Sequence, residues 1–469
     1  MTSFFNRYKK WILLSILAHV VASFTSVGFL HPDEHFQILE FLGLKLGTTP
    51  VQDLPWEFGA KMRPWLHSSI YYLITKTFEL LGVEDRFILT YIFRLLSIAL
   101  GLFSSIQLAH FCESKFKNPR YAVYTSLLLW PLPFIHARLS SEAIGTSLFT
   151  LALIEFFKKN KRSNLYTGVL FGISFLFRYH IGFMIFGLCL WSLIFKKKKI
   201  SELTVITIMT FVIIGLSIPI DYWGYGEFTF APYQYFLQNI IENKAANYGV
   251  SPWWYYFKAS FNKLIAPIGI LTIIGFLTYW VKKPLSWFTF TTLPFFFIHT
   301  LIGHKEWRFL FPLIPFIPII VGFYFEKNNI KTWIPKVLIF INSIAMLISL
   351  KAAHPSYNFF KGVQKYNQIE VLYHNSSETP FNMYKLRPHF YNNINPKMIK
   401  IKDEEIEQYA MSGGWFFAER GRFSLRFEAL SNCENKYYGS LSILKHLPIK
   451  YYNKLKIYTL WNCKNAKQI

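Results

Sequence analysis

Near the start of the chain, His31-Pro32-Asp33-Glu34-His35-Phe36-Gln37 places two adjacent carboxylates directly after an apolar stretch running from Trp11 to Leu30. Charge at the mouth of a membrane span is costly, which makes such groups functional candidates by default. A carboxylate there can serve as general base toward a hydroxyl, taking its proton as a new bond forms. Asp33 and Glu34 are therefore the candidate catalytic pair. Further polar groups recur at the ends of later apolar stretches: Gln37, Trp56-Glu57 and Arg63; Arg138 and Glu142; Arg178-Tyr179-His180; Asp221-Tyr222, Tyr248-Gly249 and Pro252-Trp253; and His304-Lys305-Glu306-Trp307-Arg308. Arg and Lys, with His as a donor, can hold a phosphate and stabilise the charge of a departing one. Tyr and Trp present flat faces to sugar rings. Together these groups describe transfer of a sugar from a lipid phosphate to a hydroxyl. Plainer roles stay open for each. The acidic pair could cap a loop, Arg138 and Glu142 are spaced as a helix pair, Arg178 could snorkel to an interface, and the aromatics could form an interfacial belt.

The elements that must position these groups are membrane helices. The chain is 52% hydrophobic and 19% aromatic, and only 16% of its residues are charged, against about 25% in soluble domains. A net charge of +24 would suit nucleic acid, but many of the cations fall in short clusters between apolar stretches, the pattern of a polytopic membrane protein. No nucleic-acid-binding motif is present. Spans are expected near 11–30, 88–110, 121–137, 143–158, 164–180, 181–195, 203–220, 262–281, 285–302, 309–325 and 332–350. Pro131, Pro133, Pro312, Pro315 and Pro318 predict kinks within a packed bundle. Ser68–Leu81 is read as a helix along the interface. With this alternation Arg7, Lys9 and Lys10, then Lys115, Lys117 and Arg120, the Lys158–Arg162 run, Lys196–Lys199, and Lys282, Lys283, Lys327 and Lys331 share one side. Short loops rich in Lys and Arg belong in the cytoplasm. Every candidate site group falls on the other face. The first stretch reads as an uncleaved span, since no small-residue cleavage site stands out before His31.

Long apolar runs stop near residue 350. The expectation is an all-α polytopic domain over 1–350, with about eleven transmembrane helices, followed by a small α/β domain over 351–469 on the outer face. Leu441–Lys445 and Lys456–Leu460 read as strands there. Cys433 and Cys463 lie in this region and could pair if it faces an oxidising compartment. Cys112 and Cys189 read as packing residues. No paired Cys or Cys/His spacing suggests a metal.

These motifs resemble glycosyltransferase family 22, the multi-pass mannosyltransferases that build lipid-linked N-glycan precursors and GPI anchors. The segment from His31 to Gln37 looks like the family's first-loop motif. Asp221-Tyr222-Trp223-Gly224-Tyr225 through Asn239, with Tyr248-Gly249 and Pro252-Trp253, is similar to its long fourth loop, and His304-Lys305-Glu306-Trp307-Arg308-Phe309 to its late signature. The resemblance runs from about residue 30 to about 325. It implies a GT-C membrane fold and a polyprenyl- or dolichyl-phosphate mannose donor. It also implies a lipid-linked glycan acceptor and an inverting transfer that needs no metal or cofactor. By resemblance Asp33 is the base, Glu34 orients substrate, and His304, Lys305, Arg308 and Arg178 hold the donor phosphate. Gln37, Trp56, Glu57, Arg138, Glu142, Asp221, Tyr222, Tyr248 and Trp253 are the substrate-contact candidates. Lys61-Met62-Arg63-Pro64-Trp65 is closer to bacterial GT-C proteins, so the membrane is a bacterial inner membrane or an ER membrane, with the site periplasmic or lumenal. The rival reading is a lipid-glycan flippase or transporter. That class predicts inverted repeats and polar mid-membrane breaks, whereas the ions here cluster at one face.

Overall fold

Helices form in each apolar segment, and prolines mark some of the breaks, as at Pro131, but not all, since Pro219 and Pro294 lie inside helices. The computed structural model describes residues 2–327, 330–366, 368–392, 394, 396–439 and 449–466. Helices cover Thr2–Thr25, Arg86–Lys115, Arg120–Leu128 with Leu132–His136, Ser141–Phe156, Lys161–Phe177, Ile181–Ile194, Ile200–Tyr225, Ala266–Lys282, Trp287–Leu301, Trp307–Phe316 with Ile317–Lys327, and Trp333–Ser349. Among the described residues three helices are long and apolar enough to cross a membrane, Arg86–Lys115, Ile200–Tyr225 and Trp307–Glu326. Shorter apolar helices cover Ile181–Ile194, Pro267–Lys282 and Trp333–Ser349. Eleven crossings therefore do not follow from helix length and composition alone. Ser68–Leu81 is helical over Leu66–Leu80.

The chain divides into two compact units. One holds Met1–Ser26, Trp56–Leu73 and Tyr91–Lys351, and the other Val27–Pro55, Ile74–Thr90 and Ala352–Ile469. The first is the helical bundle. Its core is dominated by rings and branched chains, including Phe149, Phe171, Phe288, Phe295 and Phe316. The break between Leu128 and Leu132 shows how the bundle tolerates proline. Helical bonding fails there, and the side-chain amide of Asn342, on Trp333–Ser349, takes over. Its Oδ1 accepts from Trp130 N at 2.9 Å and its Nδ2 donates to Leu128 O at 2.7 Å. Irregular backbone inside a membrane bundle needs such internal partners.

The second unit carries a five-stranded sheet of β1 (Val371–His374), β2 (Lys397–Lys400), β3 (Gly414–Arg420), β4 (Cys433–Tyr438) and β5 (Lys456–Cys463), in the order β2-β1-β3-β5-β4. β1 runs parallel to β2 and β3, and β5 runs antiparallel to β3 and β4. Strand alternation sorts the two faces. Phe416 packs with Ile406, Phe427 and Trp461 on one side, while Phe417 meets Phe359 of the helix Ser356–Val363 on the other. Cys433 and Cys463 face each other across β4 and β5 and are disulfide-bonded. The strand read at Lys456–Leu460 lies within β5. The one read at Leu441–Lys445 falls outside the described residues.

The sequence boundary near 350 thus misses two pieces, since 27–55 and 74–90 pack with the C-terminal region. One buried carboxylate explains the first. Glu40 is fully buried; its oxygens accept from Thr49 Oγ1 (2.6 Å), His389 N (2.8 Å) and Phe390 N (3.1 Å), and His35 Nε2 lies 2.7 Å from Oε1 in an ion-pair contact. Phe29 and Phe36 pack on Met383, and Ala353 N donates to Val27 O at 2.8 Å. The expected first span, 11–30, accordingly ends at Thr25. Gly28 makes the following turn at φ +81°, where an added Cβ would meet His354 O at 2.7 Å. For the second piece, Phe87 stacks on Tyr391 and edges onto Tyr357.

Burial alone would raise the Glu40 pKa, but hydrogen bonds from His35, Thr49 and Phe390, together with the nearby His35 ring, outweigh it and hold the group below its ordinary value. A depressed folded-state pKa gives stability that is present above the ordinary carboxylate range and lost as pH falls through the lowered value. Glu40→Ala strands the donors that this carboxylate satisfies. It should destabilise the second unit by about 3 kcal/mol, read as a lower unfolding midpoint at pH 7, with the gap to the native protein shrinking on strong acidification.

Candidate active site

Asp33 sits at the start of a helix whose first turn is tied by Pro32. His35 N and Phe36 N both donate to Pro32 O at 2.9 Å. A π-helical turn, His35–Leu39, follows, and then the short helix Glu40–Lys45. The π-bulge is a form frequent at functional sites. The Asp33 carboxylate is half-buried with its Oδ1 3.3 Å from His31 Nδ1. Glu34, expected to orient substrate, also ties the local backbone. It is buried, and its Oε1 accepts from Leu30 N at 3.0 Å and His31 N at 3.4 Å, closing the turn that presents Asp33. Gln37 lies partly exposed in the π-turn.

In the helical unit the charged groups converge on Glu142. This residue lies in the first turn of Ser141–Phe156, a helix capped by Ser140, whose Oγ accepts from Ala143 N. One oxygen, Glu142 Oε1, faces Arg308 Nη1 at 2.7 Å and Arg178 Nη1 at 3.5 Å. Arg308 also donates to Glu306, whose other oxygen lies 2.9 Å from His304 Nε2. Both guanidiniums lie near the Phe309 ring, at 5.0 Å for Arg178 and 5.5 Å for Arg308. Buried charges are stable only when paired. Arg178 Nη2 is nonetheless buried with no hydrogen-bond partner among the described residues. The hydrogen bond to Glu306 raises the His304 pKa above its ordinary value, against the effect of burial. With His304 protonated, three cations face two carboxylates, an arrangement suited to one further anion.

Lys305, expected beside these groups, spends its ammonium differently. It donates to Ser251 O at 2.8 Å and to Ile302 O at 2.5 Å. It thus straps the long loop after Ile200–Tyr225 to the segment after Trp287–Leu301, and burial lowers its pKa. Arg138 is likewise fully buried and bonded to the Phe134 and Ser26 carbonyls.

The Asp221 motif grips another loop. Asp221 Oδ1 accepts from Trp65 N at 2.8 Å, and Tyr225 Oη bonds to both the N–H and the carbonyl of Arg63. A Cβ on Gly224 would lie 2.0 Å from the Trp65 ring, so only glycine admits that indole. Asp221 thus clamps backbone through Oδ1, while its Oδ2 is buried with no hydrogen-bond partner among the described residues. The loop it holds sends Arg63 toward Glu57, with Nη2 3.6 Å from Oε1. Trp56 stacks near Tyr248, and Tyr248 edges onto His304, which brings these candidates beside the charged cluster. Tyr222 and Trp253 are exposed, at 56% and 66%. Among the residues that sequence reasoning overlooked, Glu40 carried a signal, a single acid inside the apolar run Ile38–Leu44, whereas Asn342 and His299 stand beside Ser343 and Thr300 and carried none.

This helical bundle with guanidiniums gathered at helix ends has the GT-C fold. ArnT from Cupriavidus metallidurans, solved bound to undecaprenyl phosphate, superposes with a TM-score of 0.59 over 98% of both chains at 10% identity. The chain belongs to the Alg9-like mannosyltransferase family, whose sequence model matches residues 11–389. It is 24% identical over 68% of its length to GPI alpha-1,2-mannosyltransferase 3 of Bos taurus, covering 59% of that protein. It is 23% identical over 87% of its length to GPI mannosyltransferase 3 of Drosophila melanogaster, covering 75% of that protein.

Removing one guanidinium should cost an anion its charge-assisted contact, worth about 1.5–3 kcal/mol. Arg308→Ala is expected to weaken binding of a polyprenyl phosphate at least about tenfold, measured by titration of the purified protein. Unchanged affinity would remove Arg308 from the phosphate group.

Proposed function

We propose that the protein transfers a mannosyl residue from a polyprenyl- or dolichyl-phosphate donor to a hydroxyl of a lipid-linked glycan, inverting the anomeric centre. Asp33 takes the proton of the acceptor hydroxyl as its oxygen bonds to the sugar's C1. The bond from C1 to the phosphate oxygen breaks with its electron pair, and the lipid phosphate leaves. Arg308 and Arg178 receive the leaving anion, and His304 adds positive charge beside them. The observation that carries the donor assignment is the single Glu142 oxygen facing two buried guanidiniums, with one Arg178 nitrogen still unbonded. A phosphate anion supplies the acceptor that Arg178 Nη2 lacks and takes charge-assisted bonds from the guanidiniums.

The disulfide bears on location. Structural disulfides are rare in reducing cytoplasm and common in the ER lumen and the bacterial periplasm. The Cys433–Cys463 bond and Asp33 belong to the same compact unit. This supports a lumenal or periplasmic position for the proposed base, with the lysine-rich loops in the cytoplasm.

The test is Asp33→Asn, assayed with purified protein and synthetic lipid-phosphate mannose. Loss of a positioned base should lower turnover by about 100- to 10,000-fold while donor affinity stays within a factor of about two. Full activity in that variant would exclude Asp33 as the base.

A further inference from the structure

A chain of hydrogen bonds crosses the helical unit beside Arg178. His299 Nδ1 lies 2.7 Å from Phe295 O, His299 Nε2 lies 3.2 Å from His180 Nδ1, and His180 Nε2 lies 2.6 Å from Tyr235 Oη. The carbonyl can only accept, so His299 Nδ1 carries a proton. Neutral imidazoles, the form that burial among apolar groups favours, then allow one assignment. His299 Nε2 accepts, His180 Nδ1 donates to it, His180 Nε2 accepts, and the Tyr235 phenol donates. Burial and the nearby Arg178 charge both push the His180 pKa well below its ordinary value, which keeps this ring neutral. The relay fixes the direction of the Tyr235 hydroxyl. Its proton is committed to protein, and its oxygen is left as an acceptor.

The surroundings indicate what that oxygen meets. Tyr235 is partly exposed, on the short helix Ala231–Phe236 of the long outer loop. Its ring packs edge-on to Tyr179 at 5.1 Å, and the Arg63 guanidinium lies 5.7 Å from its centre. Tyr179 directly follows Arg178 in the chain. A sugar joined to a phosphate held by Arg178 lies one bond from that phosphate, so its hydroxyls fall within reach of the neighbouring side chains.

We propose that Tyr235 is a specificity-determining residue whose phenol oxygen accepts a hydrogen bond from a hydroxyl of the transferred hexose, with His180 and His299 as positioning residues that hold it in that state. This rests on the donor assignment above, and the test separates the two. Binding of bare polyprenyl phosphate and of polyprenyl-phosphate mannose is measured on the full-length protein. The native chain should prefer the mannose-bearing lipid. Tyr235→Phe should shrink that preference about tenfold and leave affinity for the bare lipid phosphate unchanged, which also reports that the variant is folded. In a series of deoxymannose lipids, one analogue should bind the native chain and Tyr235→Phe alike. His299→Gln should reduce the preference in the native background and add nothing in the Tyr235→Phe background. An undiminished preference in Tyr235→Phe, or an equal loss for the bare lipid, overturns the contact. An additive His299 effect overturns the relay. A native chain that binds both lipids with this pattern yet transfers no mannose contradicts the proposed function and leaves the contact standing.

Discussion

Two buried guanidiniums that share one carboxylate oxygen set the terms for the helical unit. Charge removed from water must be paired or it unfolds its surroundings. The chain meets this by sending Glu142 from a helix start, Arg178 from the joint between two helices, and Arg308 from the head of a proline-rich 3-10 segment to one point. The neighbouring loops follow from that need. Glu306 supplies a second carboxylate, His304 bonds to it, and Lys305 anchors the outer loop through carbonyls. Arg178 Nη2 has no hydrogen-bond partner among the described residues, and the proposed donor phosphate would supply one.

The second unit solves the mirror problem with a single anion. Glu40 gathers three donors and the nearby His35 ring from three stretches of chain, and those contacts join the Asp33 turn to the residues around His389. Glu34 then fixes the turn itself by binding two backbone N–H groups. Of the acids in this short stretch, two do structural work, and Asp33 is the one left partly exposed beside an imidazole. The division suits the base role proposed for Asp33, since a general base must be reachable by its substrate.

Much of this was legible in the residues. Apolar runs located the helices, Pro131, Pro312 and Pro315 located one break and one 3-10 segment, and clustered ions at helix ends located the charged centre, because each follows from local pattern. The domain boundary was not legible, since hydropathy cannot show that residues 27–55 pack against a segment more than 300 positions away, as Glu40 and Phe390 do. Roles within motifs were also hidden. Asp221, Glu34 and Lys305 have the right types for substrate contact, yet their partners are backbone groups of distant or neighbouring loops. Tyr235 and His299 looked like ordinary loop and helix residues, and only their hydrogen-bond order gives them meaning.

The stereochemistry of a single turnover tests the account most directly. In the proposed mechanism a base-activated hydroxyl attacks the sugar on the face opposite the departing phosphate. Purified protein given a lipid-phosphate mannose of known anomeric configuration should yield a glycan whose new linkage, read by nuclear magnetic resonance, has the opposite configuration. A product with the donor's configuration, or a covalent mannosyl-protein intermediate on Asp33, would contradict the account.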